Sequence, residues 1–140
     1  QWMRLSLGQE WKDGKCTGEA KKYTWQKALD AASALNRQGG YAGYRDWRVP
    51  TREELRTLVY CSSGQPKTWN NTGNPCEGDY GPPTIYQPAF PNTQPIWYWS
   101  ASPYAPNADL AWVVVFGNGL DGANGKGDYG YAVRLVRGGP

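Results

Sequence analysis

The chain has 140 residues and a net charge of only +3, and it carries 8 Trp and 10 Tyr against 2 Phe, with 18 Gly and 11 Pro. That length predicts one domain able to bury about two-thirds of its unfolded surface without a metal or cofactor, and the composition reads as loop-rich but folded. With no histidine in the chain, Ser-His-Asp, Cys-His and His-zinc chemistries are excluded. A Cys-x-x-Cys motif and a dinucleotide fingerprint are also lacking, so redox enzymes have no support.

Trp2-Met3-Arg4-Leu5-Ser6-Leu7 alternates as a short terminal strand does, and a polar turn follows at Lys12-Asp13-Gly14-Lys15. Thr24 then caps a helix in which Trp25, Ala28, Leu29, Ala32 and Leu35 recur at helical spacing, ended by the residues from Asn36 to Gly40. Such a stripe is core, so Trp25 is given no functional role. The stretch Tyr44-Arg45-Asp46-Trp47-Arg48-Val49-Pro50-Thr51 leads into a second helix over 51–60. Pro50 holds Val49 extended, and Thr51 and Glu54 have the spacing of a capping box. Leu55, Leu58 and Val59 share one face of that helix, and Arg52, Glu53 and Arg56 the other. Glu53 and Glu54, being adjacent, diverge and form no acid/base pair.

Residues 62–95 show hardly any apolar period and seven prolines, which predicts an irregular insert. Cys61 and Cys76 bracket its first part, and a disulfide between them is expected, implying periplasm, cell surface or secretion. Cys16 is left over, either buried as a small hydrophobe or exposed for an intermolecular bond. Asn70-Asn71-Thr72 matches a glycosylation sequon. Residues 97–102, 111–116 and 131–136 read as three strands of an antiparallel sheet, with 117–130 as a long glycine-rich hairpin loop that is no phosphate loop. Asp121, Asn124 and Asp128 offer oxygens to calcium, but without EF-hand spacing. The fold class expected is α+β, two helices packed on a small twisted antiparallel sheet with a long irregular insert.

Charge is uneven. Residues 1–60 hold eleven Lys/Arg against seven Asp/Glu, and residues 61–140 four against five. No run of like charge or basic-aromatic interleaving points to nucleic acid, so the basic half reads as a solvated face, with a polyanion patch as the minority reading. No segment is apolar over a membrane-spanning length, and Gln1 is not a natural start, so a mature chain or an excised domain is expected.

Trp2-Met3-Arg4 with Ser6-Leu7-Gly8-Gln9, Tyr23-Thr24-Trp25-Gln26-Lys27-Ala28, Gly43-Tyr44-Arg45-Asp46-Trp47-Arg48-Val49-Pro50-Thr51 with Glu54-Leu55, Phe90-Pro91-Asn92-Thr93, Tyr98-Trp99-Ser100, Ala111-Trp112 and Val133-Arg134-Leu135-Val136-Arg137-Gly138 together resemble the Lcl C-terminal-domain family of bacterial surface proteins. The resemblance implies an extracellular, non-enzymatic domain similar in fold to C-type lectins and to the formylglycine-generating enzymes, without the latter's paired catalytic cysteines. Relatives often carry a cysteine where this chain has Leu5, which would pair with the one matching Cys16; the Cys61–Cys76 pairing fits the family pattern.

Two binding modes follow from the resemblance. Some members are adhesins for sulfated polysaccharides, which points to Lys12, Lys15, Lys21, Lys22 and Arg37. Others look like variable proteins diversified by retroelements, which points to the C-terminal half. There Trp99, Trp112, Phe116 and Arg134 are framework, and Tyr98, Tyr104, Asn107, Asp109, Asn118, Leu120, Asp121, Asn124 and Tyr129 are the candidate contacts for a protein or glycan. The competing structural reading is a trimerising or pilus-capping module, and a cell-wall hydrolase with two carboxylates in a cleft is a distant third.

Overall fold

A computed structural model of the chain describes residues 1–127 and 130–138. The elements in order are β1 (Glu10–Lys12), β2 (Lys15–Thr17), α1 (Trp25–Arg37), α2 (Arg52–Arg56), β3 (Trp97–Pro103), β4 (Leu110–Val115) and β5 (Asp121–Gly125). β1 and β2 form a separate hairpin around the turn at Asp13 and Gly14, whose φ angles are 53° and 75°. β3, β4 and β5 form an antiparallel sheet in that order, so the α+β expectation is met.

Both faces of this sheet are covered. Trp99, Ala111 and Val113 join Ala28 and Ala32 of α1, together with Met3, Trp47, Val49, Val133 and Leu135. Tyr98, Val114 and Phe116 point the other way, onto Leu55, Leu58, Val59, Ile85, Phe90 and the disulfide. Alternation along β3 and β4 therefore divides one sheet between two cores.

Thr51 caps α2 as expected: its hydroxyl accepts the Glu54 N–H at 3.2 Å, and Glu54 Oε1 accepts the Thr51 N–H at 2.8 Å. The helix is shorter than the 51–60 predicted. After Arg56 the N–H groups of Thr57, Leu58 and Val59 donate to the carbonyls three residues back, a tightening that ends the helix. Val59 and Tyr60 then bridge to Ile85 and Trp69, while Leu55, Leu58 and Val59 remain buried. Thr24 occupies the N-cap of α1 with extended backbone but without a side-chain cap bond.

The C-terminal expectation needs correcting. The glycine-rich segment is not a plain loop: Asp121–Gly125 pairs with β4 from Leu110↔Gly125 to Val114↔Asp121. β4 is buried and its outer N–H and C=O groups need partners, which this backbone supplies. Residues 131–136, expected as the third antiparallel strand, lie on the other side of β3 with one parallel bridge, Tyr98↔Ala132. They are the spine of the molecule. Tyr131 bridges to Tyr23, and Val136 bridges to both Trp2 and Arg48. Met3 and Leu7 donate to Leu135 and Val133, so the N-terminal segment lies along the spine in extended form rather than as a regular strand.

Arg134 projects from this spine into the interior, fully buried. It donates to Met3 O at 3.0 Å, Thr93 Oγ1 at 2.7 Å and Ser6 Oγ at 3.4 Å, and lies 5.0 Å from the Phe90 ring. Ser6 Oγ is in turn paired with the Tyr98 hydroxyl. Burial pulls the pKa of Arg134 below its ordinary value. The insert is irregular as expected, with Cys61 and Cys76 joined and their Cα atoms 5.5 Å apart. Closing a separation of 15 residues contributes about 3 kcal/mol through the unfolded chain. Cys16 is unpaired and buried, and burial raises its thiol pKa, which leaves it a protonated small hydrophobe.

Candidate functional site

Tyr23 and Tyr131 form a hydrogen-bonded pair, each N–H donating to the other's carbonyl at 2.9 and 2.8 Å. That pairing draws the Tyr131 ring onto β3, 5.2 Å from Trp97 and 4.9 Å from Trp99. Trp99 is buried, with its Nε1–H donating to Tyr23 O at 2.7 Å. Trp97, two residues earlier on the same face, lies at the start of the strand and remains 39% exposed.

Trp97, Tyr131, Pro95, Ile96, Lys22 and Gly130 line an open cleft of about 310 Å³. A Cβ on Gly130 would come within 3.2 Å of Lys22 Cβ, so glycine is what lets the lysine stem lie against residue 130. The Tyr131 hydroxyl donates to Asn124 Oδ1 at 3.3 Å, linking β5 to the same ring. Two further ammonium groups sit over neighbouring rings, Lys21 at 5.5 Å from Tyr23 and Lys126 at 4.3 Å from Trp25. Burial raises the Tyr23 pKa and keeps its phenol neutral. An indole and a phenol face with a lysine in the same lining can stack on an apolar ring face and hold an anionic or hydroxyl group.

The contacts expected in the C-terminal half do not gather in one place. Tyr98 is fully buried, its ring 5.2 Å from Phe116 and its hydroxyl on Ser6, so it is core and not a contact residue. Asp121 is also structural: its side chain is 7% exposed and its Oδ2 accepts from Arg52 Nε at 2.6 Å and Arg56 Nη1 at 3.4 Å. Both were misread because their partners lie far away in sequence.

Tyr104, Asn107 and Asp109 belong to the turn between β3 and β4, where Tyr104 is half-buried 5.1 Å from Trp112 and the other two are exposed. Asn118 and Leu120 lie in the turn after β4, where Asn118 Oδ1 accepts the Leu120 N–H at 3.0 Å and Asn118 O accepts from Cys76. The six residues of β4 separate these groups by roughly 17–20 Å. Asn124 reaches the cleft through Tyr131, and Tyr129 lies outside the described residues, as does Asp128.

Among the basic candidates, Lys21 and Lys22 adjoin the cleft, whereas Lys12 and Lys15 face each other at the tip of the first hairpin. Arg37 ends the thirteen-residue α1, about 18 Å along the axis from Trp25, so the five do not form one patch. For calcium, Asp121 is already neutralised by two arginines, and among the described residues no group of three or more acidic or sulfur side chains is placed to hold a metal ion. The sequon asparagine is also committed: Asn70 is buried and its Nδ2 donates to Asn74 O at 2.9 Å.

Trp97, Pro95, Ile96 and Tyr131 were not identified as site residues from sequence. The available signal was the Trp97-Tyr98-Trp99 alternation, which puts two indoles on one face at a strand end where cover runs out. No curated protein matches the chain significantly. The family model described as the Lcl C-terminal domain matches residues 1–137, and the chain belongs to that family.

Proposed function

We propose that the chain is a non-enzymatic recognition domain of a bacterial surface or secreted protein, with a C-type-lectin-like fold, and that it binds a glycan at the cleft of Trp97, Tyr131 and Lys22. The observation that carries this reading is the half-exposed indole of Trp97 set beside Tyr131 in a concavity whose lining includes Lys22. Three features support the fold reading: helices on either side of a small sheet, a long stapled insert, and chain ends that meet, with Arg137 N–H donating to Gln1 O at 2.8 Å. The disulfide supports an oxidising location. The carboxylates shifted furthest from their ordinary range, Glu54 and Asp46, are engaged by Arg48 and Arg137 outside the cleft, which supports binding over acid/base work.

A glycan array probed at two salt concentrations, with and without calcium, tests the reading on the wild type and Trp97→Ala. Capture that falls about tenfold or more in Trp97→Ala, with an unchanged melting curve, supports it. Equal capture by both proteins overturns it by moving the glycan site elsewhere, and silence across the array overturns it in favour of a protein ligand. Weaker capture at high salt assigns a role to Lys22. The retroelement-diversified variant of this reading retains Tyr104, Asn107, Asp109, Asn118 and Leu120 as surface positions, and their identity across close gene copies would count against it.

A second reading, an oligomerisation module, is favoured by one feature. Tyr60, Trp69 and Tyr86 pack with centroids 5.2–6.0 Å apart, and Trp69 is 49% and Tyr86 41% exposed. Sedimentation equilibrium tests it: self-association lost in Trp69→Ala supports a subunit contact, and a wild-type monomer at high concentration removes it.

A further inference from the structure

A second aromatic slot lies at the other end of the spine segment. Tyr131 bridges to Tyr23 beside the first cleft, while Val136 bridges to Trp2, five residues on and roughly 16 Å away along an extended chain. Trp2, Met3, Arg4, Trp11, Tyr41 and Trp47 line most of a concavity of about 300 Å³. Its inner wall is rigid. Trp47 is 3% exposed, its Nε1–H donates to Tyr41 O at 2.9 Å, its backbone N–H donates to Asn36 Oδ1 at 3.1 Å, and Tyr41 meets it edge-on at 6.0 Å. Its outer wall is open: Trp11 is 43% and Tyr41 37% exposed.

The charge in this slot is unbalanced. Arg4 lies 4.8 Å from the Trp11 ring, and its Nε and Nη2 donate to the carbonyls of Ala89 and Pro88 at 3.0 and 3.1 Å. Both acceptors are neutral, and among the described residues the guanidinium has no carboxylate partner and Nη1 has no acceptor. The arginine is thus held in place by two hydrogen bonds and a ring while its charge and one N–H₂ group remain available.

We propose that this slot binds a pyranose ring carrying a single carboxylate, a uronic acid unit of a polysaccharide, with the ring stacked on indole faces and the carboxylate on Arg4 Nη1. A sugar fits better than an acidic peptide because most of the backbone at the rim is already paired. Tyr41 and Tyr44 exchange both N–H···O bonds, Met3 N–H donates to Leu135 O, and Trp47 N–H is taken by Asn36, so the one strand edge left beside the slot is that of β1 at Trp11, three residues long and too short to hold an extended peptide. A uronate fits better than a polysulfated sugar because Arg4 is the one charged side chain in the lining, matching one negative charge per ring. The inference shares with the Trp97 reading only the premise that the ligand is a sugar.

The test is titration of the wild-type domain with tetragalacturonate, its methyl ester, and a heparin tetrasaccharide, followed by the indole N–H signals of Trp2 and Trp11 in ¹H–¹⁵N spectra. Those signals should shift with tetragalacturonate, and affinity should fall about tenfold for the methyl ester and for Arg4→Gln, as expected for loss of a charge-assisted hydrogen bond. Trp11→Ala should weaken binding as well, and the Trp97 indole signal in the same spectra separates this site from the first: shifts at Trp2 and Trp11 without Trp97 report this slot, and a shift at Trp97 alone overturns the proposal. Unmoved indole signals, equal affinity for acid and ester, or tighter binding of the heparin fragment would each overturn the proposal.

Discussion

Glu54 ties the start of α2 to the arginine two residues before Pro50, and its contribution should depend on pH in a defined way. Arg48 Nη1 and Nη2 donate to Glu54 Oε1 and Oε2, both at 2.7 Å, and the Thr51 N–H donates to Oε1 at 2.8 Å. The Arg48 bonds first, and the Thr51 N–H after them, hold the carboxyl pKa well below its ordinary 4.5, at about 2. That displacement corresponds to at most about 3.4 kcal/mol. Arg48 is 36% exposed, so water screens the pair, and an expected share of about 1–2 kcal/mol remains.

Because the folded pKa lies below the unfolded one, this stabilisation is complete above about pH 5 and is lost as pH falls through about 2. Urea unfolding of the wild type and Glu54→Gln should differ by about 1–2 kcal/mol near neutral pH. The gap should close as pH approaches about 2, while the other carboxylates titrate equally in both proteins. A gap that is constant with pH, or absent at neutral pH, refutes the reasoning.

The turn after β4 and the spine each offer a sharper mutational test. Gly119 has φ 85°, and a Cβ there would lie 2.8 Å from Val59 Cγ1 and 3.2 Å from Cys76 Sγ, whereas Gly122 on β5 has open space around it. Gly119→Ala should cost about 2 kcal/mol or more by denaturant unfolding and Gly122→Ala less than about 0.5, and similar losses would contradict the turn geometry. Arg134→Ala removes the donors to Met3 O and Thr93 Oγ1 and leaves a cavity beside Phe90, for an expected loss of about 3 kcal/mol or more in the same assay. Little change would mean that this buried cation is not a tie between the chain ends.

Local physics was legible from the sequence. The capping box of Thr51 and Glu54, the stripe of α1, the bracketing cysteines and the alternation of β3 and β4 each rest on residues close together in the chain, where covalent geometry and side-chain reach decide the outcome. The family resemblance was legible for the same reason, as a series of short motifs in fixed order, and the family match over residues 1–137 agrees with it.

Long-range partners decided the rest. Nothing near Asp121 in the chain announces that Arg52 and Arg56 will neutralise it, and nothing around Tyr98 announces Ser6. Likewise, the glycine-rich segment shows no strand pattern, because it is recruited by the unpaired backbone of β4 rather than by its own side chains. The site followed the same rule. Trp97 and Tyr131 are 34 positions apart in the sequence, and Trp2 is 39 positions from Tyr41 and 45 from Trp47, yet the spine at residues 131–136 brings each set to one of its ends. Residue type and period determined which rings the chain holds and which segments carry them; only the tertiary pairing, through backbone bonds between distant residues, decided which rings are buried as core and which remain open to a ligand.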